Sequence, residues 1–132
     1  MSGWIHHIDL TVGDPDAATR FYDEVLPLMG FRRVMDAPEG PIWRGAHVEI
    51  GLQTARPGAR SHDRYAPGLH HLAFGASSRA AVDELHQALL RLHVRVLDAP
   101  AQYDQYAPGY YAVFFAGPDD VKLEYVHTPG TS

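Results

Sequence analysis

Two stretches of this chain, IHHIDLTV from Ile5 and LHHLAFGA from Leu69, carry one pattern at an offset of 64 residues. The correspondence continues without a gap. Ile5, His6, His7 and Ile8 fall on Leu69, His70, His71 and Leu72; Leu10 falls on Phe74, Ala17 on Ala81 and Phe21 on Leu85. Val25, Leu26 and Leu28 fall on Leu89, Leu90 and Leu92. A repeat of this length sets the architecture before any single residue does, because one supersecondary unit must be built twice. The 132 residues suffice for a single domain made of two such halves sharing a core.

Each half reads as β-α-β-β-β. IHHIDLTV alternates apolar and polar residues, the signature of a half-buried strand. The segment DPDAATRFYDEVLPLMG follows, with Asp14 as N-cap and Pro15 in the first helical turn. Ala18, Phe21, Val25 and Leu28 recur at helical spacing, Pro27 ends or bends the helix and Gly30 stops it. FRRVMD and GAHVEIGLQ read as strands, with a weaker one near Ile42 and Trp43. In the second half HHLAFGA is a strand, and SSRAAVDELHQALLRL is a capped amphipathic helix with Ala81, Val82, Leu85 and Leu89 on one face. VRVLD, YYAVFFA and VKLEYVH are the remaining strands. The modules span about residues 3–54 and 69–128, joined by a Gly-, Pro- and Arg-rich linker over 55–68.

Strand parity then assigns faces, because successive side chains point to opposite sides of a sheet. Ile8, Leu10 and Val12 share the face that the helix covers, leaving His7, Asp9 and Thr11 on the other; Leu72 and Phe74 oppose His71, Ala73 and Gly75. In the last strand of each half, His47, Glu49, Gly51 and Gln53 oppose Val48, Ile50 and Leu52, while Lys122, Glu124 and Val126 oppose Val121, Leu123 and Tyr125. The expected fold is α+β: two βαβββ modules, each a curved sheet forming a half-barrel, with helices on the outer face and a polar concavity opposite. His6 and His70 are expected on the helix side or at the strand edge, and His7 and His71 in the concavity.

Taken as position-matched, His7 and Glu49 from the first half and His71 and Glu124 from the second form an N2O2 donor set. Such a set suits one divalent ion per site, Ni, Zn, Co, Mn or Fe, with room for water or substrate. Without Glu49, two histidines and one carboxylate remain, the pattern of non-haem Fe(II) chemistry. The competing reading is four solvated residues on an open sheet face.

Composition narrows the function classes. A formal charge of −5 argues against a nucleic-acid surface, and the lack of cysteine excludes disulfides and thiolate metal sites. No secretion signal or membrane-length apolar run is present in the sequence, so no membrane association and a cytoplasmic setting are expected.

The segments HIDLTVGDPDAATRFYDEVL, HHLAFGASSRAAVDELHQALL and AVFFAGPDDVKLEYV resemble the vicinal oxygen chelate superfamily, which includes glyoxalase I, bleomycin- and fosfomycin-resistance proteins and extradiol dioxygenases. The resemblance covers nearly the whole chain. It places the family's ligand histidines on His7 and His71, its last-strand glutamate on Glu124, and the first-half glutamate of glyoxalase I-like members on Glu49. Where the family often shows D-P-x-G before the last strand, this chain has Gly117-Pro118-Asp119-Asp120. The resemblance implies a homodimer with sites at or near the interface and a small-molecule substrate.

The implied activity is a metal-dependent lyase or isomerase of the glyoxalase I type, acting on a vicinally oxygenated substrate. Glu124 and Glu49 are its candidate bases. A metal-free, ligand-sequestering protein of the bleomycin-resistance type and an Fe(II) extradiol-type dioxygenase are the alternatives. Arg44, Gln53, Tyr103 and Tyr111 are candidate substrate contacts, the tyrosines belonging to AQYDQYAPGYYAVFF, which reads either as a lid or as an aromatic-anchored turn.

Overall fold

The computed structural model describes residues 1–38 and 40–130 and resolves them into two compact units, the first ending at Ser61 and the second beginning at His62. The first contains β1 (His7–Val12), α1 (Pro15–Val25), β2 (Arg32–Ala37), β3 (Gly40–Arg44) and β4 (Glu49–Thr54). The second contains β5 (His71–Gly75), α2 (Arg79–Arg91), β6 (Val96–Gln102), β7 (Tyr111–Ala116) and β8 (Lys122–His127). Both are βαβββ units of one topology, with strand orders β1-β4-β3-β2 and β5-β8-β7-β6. The expected α+β pair of repeated modules is therefore observed. No helix among the described residues is long and apolar enough to cross a membrane.

In each unit the first strand pairs in parallel with the last, while the other pairs are antiparallel. The chain must therefore cross over through its helix and lay down a hairpin before the last strand closes beside the first. Local chemistry starts both helices. Asp14 accepts a hydrogen bond from the Ala17 N–H at 3.1 Å with Pro15 behind it, and Ser78 Oγ accepts from the Ala81 N–H at 3.0 Å.

The buried stripe of α1 is Ala18, Tyr22, Val25 and the following Leu26, which departs from the expected Ala18, Phe21, Val25 and Leu28. Phe21 is half-buried and Leu28 is 46% exposed. The cause is Pro27, which converts Leu26–Met29 into a 3-10 turn closed by Gly30 at φ 88°, so Leu28 no longer follows the α-helical period. Tyr22 takes the buried place and packs its ring 5.9 Å from that of Trp43. In α2 the stripe is Val82, Leu85, Ala88 and Leu89, with Ala81 half-buried. β4 starts only at Glu49, and β6 runs on through Pro100. The proline is tolerated because β6 is an edge strand with irregular register.

The face opposite the groove side of the first sheet is anchored by a buried polar contact. The Trp43 indole N–H donates to Asp23 at 2.9 Å, and Arg33 also reaches that carboxylate at 2.8 Å. Removing the acceptor in Asp23→Ala strands a donor on a fully buried ring. It is expected to lower unfolding free energy by about 1–3 kcal/mol, the cost of an unsatisfied buried group. Urea unfolding followed by tryptophan fluorescence measures it.

Candidate functional site

Glu124 is the centre of the second unit's helix-free face. It is 1% exposed, and among the described residues it is the only acidic or basic side chain in the buried class. A buried carboxylate is costly unless both oxygens find partners. Here Oε1 lies 3.1 Å from His71 Nε2, and Oε2 accepts from the Tyr110 hydroxyl. The parallel register sets His71 opposite Lys122 and Ala73 opposite Glu124. His71, whose side chain is 35% exposed, thus meets Glu124 diagonally, across the small side chain of Ala73. Lys122 lies 4.6 Å over the Phe114 ring, and Phe114 is itself edge-on to His71.

The tyrosine-rich segment before β7 forms a tied turn over this carboxylate. Tyr103 N–H donates to the Tyr110 carbonyl at 2.7 Å, and the Asp104 carboxylate accepts from the Gly109 N–H and the Gln102 amide. Tyr103 stacks on Tyr106 and meets Tyr110 and Phe114 edge-on. Burial, then the bond to Glu124, pushes the Tyr110 phenol far above its ordinary value, so it remains a proton donor across the working pH range.

The histidine doublets are linked through their rings. Nδ1 of His70 lies 2.7 Å from Nδ1 of His71, and Nδ1 of His6 lies 3.0 Å from that of His7. His6 and His70 are exposed and immediately precede their strands, so they do not cover the helix side. In each pair one ring donates and the other accepts, which ties the tautomer of the strand histidine to its neighbour. Desolvation, then the adjacent His71, holds His70 below its ordinary value, which favours the neutral ring that can take either role.

In the first unit His7, Asp9, Glu49, Gly51 and Gln53 line a groove of about 290 Å³. Arg44 Nε donates to Glu49 at 2.7 Å, which engages the candidate substrate contact Arg44 with a candidate ligand. The register sets His7 opposite Glu49 and Asp9 opposite Gly51. Glu49 therefore matches Lys122 in the second unit, and the place of Glu124 belongs to Gly51. The position-matching expected from parity fails here, because a shift of two residues keeps every side chain on its face.

The other expected residues divide by face. Gln53 shares the groove with His7, and Tyr103 lies in the aromatic cluster beside Glu124. Tyr111 lies on the opposite face of β7 from Phe114. Its hydroxyl donates to Asp83 of α2 at 2.6 Å, and Arg79 stands 3.9 Å over its ring. Tyr110, Asp9, His6 and His70 are not among the site residues the sequence points to, although parity puts Asp9 on the face of His7. The dyad period of β7 shows that Tyr110 and Tyr111 cannot share a face, but not which of them turns to Glu124.

Neither unit assembles three or more His, Asp or Glu side chains into a metal-ready group among the described residues. The His71–Glu124 pair is spaced as two donors to one metal would be. Donors each about 2.1 Å from a divalent ion at roughly 90–110° stand about 3.0–3.4 Å apart. The His71–Glu124 separation of 3.1 Å falls in that range, and it equally suits a hydrogen bond in the metal-free protein.

Fold and site together define a protein of paired βαβββ units, each carrying histidine and carboxylate side chains on the sheet face its helix leaves free. The sequence profile of the glyoxalase/bleomycin resistance protein/dioxygenase superfamily matches residues 4–125, and the chain belongs to that superfamily. It is 32% identical over 124 residues to the uncharacterised protein YqjT of Bacillus subtilis (strain 168), covering 92% of this chain and 97% of YqjT. Among solved structures it resembles a glyoxalase candidate from Bacillus halodurans at 27% identity, with a TM-score of 0.81 and 96% of each chain covered. The lactoylglutathione lyase of Agrobacterium tumefaciens, at 20% identity, a TM-score of 0.70 and 96% of each chain covered, shares the fold.

Two outcomes test this description. Tyr110→Phe is expected to cost about 1–3 kcal/mol by leaving a buried carboxylate oxygen without its donor, and Tyr111→Phe less, in paired denaturation curves. The Gly109 N–H, with Gln102 second, holds the Asp104 carboxyl below its ordinary 3.8. Its contribution to the closed turn is therefore complete above that value and lost as pH falls through the lower folded-state value. The Gly109 amide resonance reports this in an acid titration.

Proposed function

We propose that this chain is a divalent-metal-dependent enzyme of the glyoxalase-like lyase or isomerase type, acting on a small substrate with oxygens on adjacent carbons. The observation that carries the reading is the buried Glu124, with one oxygen beside His71 Nε2 and the other on the Tyr110 hydroxyl. A carboxylate this buried, with no Arg or Lys among its hydrogen-bond partners, is poorly explained by stability alone. His71 and Glu124 are the donors the second unit offers a divalent metal, and His7, with Glu49 as its expected carboxylate, is the donor pair proposed in the first. Ni, Zn, Co, Mn and Fe all accept such donors. When bound, the metal supplies Lewis-acid polarisation of a substrate oxygen.

Glu124 would act as the base that takes a proton from one oxygen-bearing carbon of the substrate and returns it to the neighbouring carbon. Tyr110 holds the second carboxylate oxygen in place, so the reacting oxygen is the one facing His71. The aromatic turn of Tyr103, Tyr106 and Tyr110 screens this carboxylate from water, and Gln53 is the polar contact proposed for a substrate in the groove of the first unit. Superfamily members typically act on small molecules and form dimers. A homodimer in a cytoplasmic setting belongs to this proposal.

Elemental analysis of untagged protein purified without chelator tests the metal. About one equivalent of a first-row divalent metal per chain is expected, with little in His71→Ala. Glu124→Gln is expected to lower hemithioacetal isomerisation by about 10²–10⁴-fold, the usual range for loss of a general base. A parent that takes up no metal when it is offered back would overturn the reading in favour of ligand sequestration. Oxygen uptake with a catechol on an Fe-loaded protein would overturn it in favour of ring cleavage.

A further inference from the structure

The two units place their acidic residue on opposite members of the same strand pair. In the second, the acid stands on the last strand and the small residue on the first: Glu124 on β8 opposite Ala73 on β5. In the first the order is exchanged, with Asp9 on β1 opposite Gly51 on β4. Partners in parallel strands project to one face at a strand spacing of about 4.8 Å, so either strand can deliver a carboxylate to nearly the same place. The packing shows that Asp9 does so. A Cβ built on Gly51 would stand 2.5 Å from Asp9 Oδ1, so the Asp9 carboxylate leans over the space a side chain at position 51 would fill. Its other oxygen is 3.9 Å from His7 Nε2, and both side chains are about half exposed to the groove. Glu49 stands one residue pair away, opposite His7, and is held by Arg44 at 2.7 Å.

We propose that Asp9, and not Glu49, is the carboxylate that the first unit gives to a divalent cation alongside His7, with Gly51 kept small to admit it. This rests on the metal-dependent reading above and revises its expected ligand. Arg44 and Glu49 then form a separate ion pair at the groove wall.

Affinity for Zn²⁺ and Ni²⁺ alone, measured by competition with a fluorescent chelator on the full chain, tests the assignment. Asp9→Asn is expected to weaken binding by about tenfold or more, since even partners outside the coordination sphere usually contribute 10–100-fold. Glu49→Gln is expected to leave it unchanged. Asp9→Ala is expected to lose affinity, and Asp9→Ala with Gly51→Glu to recover it by returning the acid to β4; a merely structural role for Asp9 would not be rescued this way. Thermal melting of the metal-free variants separates lost ligation from lost folding. If Glu49→Gln weakens binding and Asp9→Asn does not, while His71→Ala still abolishes it, this assignment falls and the metal reading stands. A parent that binds neither ion overturns both.

Discussion

Parallel pairing of the first and last strands is the constraint on which everything else in each unit depends. Among the described residues it is the parallel pairing of each unit, and it requires the chain to cross over through the helix and the hairpin between. Once formed, it fixes which residues stand side by side on the helix-free face. The β5–β8 register makes Ala73 the neighbour of Glu124 and leaves His71 one step back, the arrangement that brings imidazole and carboxylate to 3.1 Å. A register slipped by two residues would keep the same core residues buried and would dissolve the site. The functional geometry is thus held less by the contacts of the site than by the ladder beneath it.

That dependence explains what could be read in advance. The repeat, both helices, their caps and the faces of β1, β5 and β8 follow from periodicity and local chemistry, which a single sequence displays. The register does not, because a period of two is blind to a shift of two. Parity alone matches Glu49 with Glu124, whereas its structural counterpart is Lys122. The stripe of α1 departs from the helical period for a different reason. Leu28 follows the helical period in sequence, but Pro27 tightens the chain into a 3-10 turn and throws it outward. Tyr110 illustrates a third limit. Tyr110 and Tyr111 are chemically identical neighbours, and only the contact with Asp83 on one face and Glu124 on the other tells them apart.

The doubled histidines acquire a reason from the same geometry. The strand histidine of each pair is oriented by backbone parity, which sets direction but not tautomer. The preceding histidine, off the end of the strand and in solvent, supplies a nitrogen at 2.7–3.0 Å that does. In the second unit, when His71 Nε2–H points at Glu124, Nδ1 must accept from His70; when Nε2 presents its lone pair, Nδ1 must donate. A neutral His70 can donate or accept, so the doublet lets His71 exchange tautomers without breaking its outer hydrogen bond.

The two units also show how one scaffold holds two local solutions. On a parallel pair, the side chains of partner residues share one volume of space, and it admits one acid and one small residue. Glu124 with Ala73 and Asp9 with Gly51 are the two ways of filling it. They are not equivalent in environment. Glu124 is buried under an aromatic turn and has a phenol and an imidazole on its oxygens, whereas Asp9 is open to the groove and stands further from its histidine. A buried, doubly held carboxylate has its direction set by the protein, because each oxygen already has a partner. An exposed one on a shorter stem suits ligation, because it adjusts to whatever ion or substrate enters. The repeat thus did not yield two copies of one half-site, but one carboxylate that is buried and held at both oxygens and one that is open to a groove.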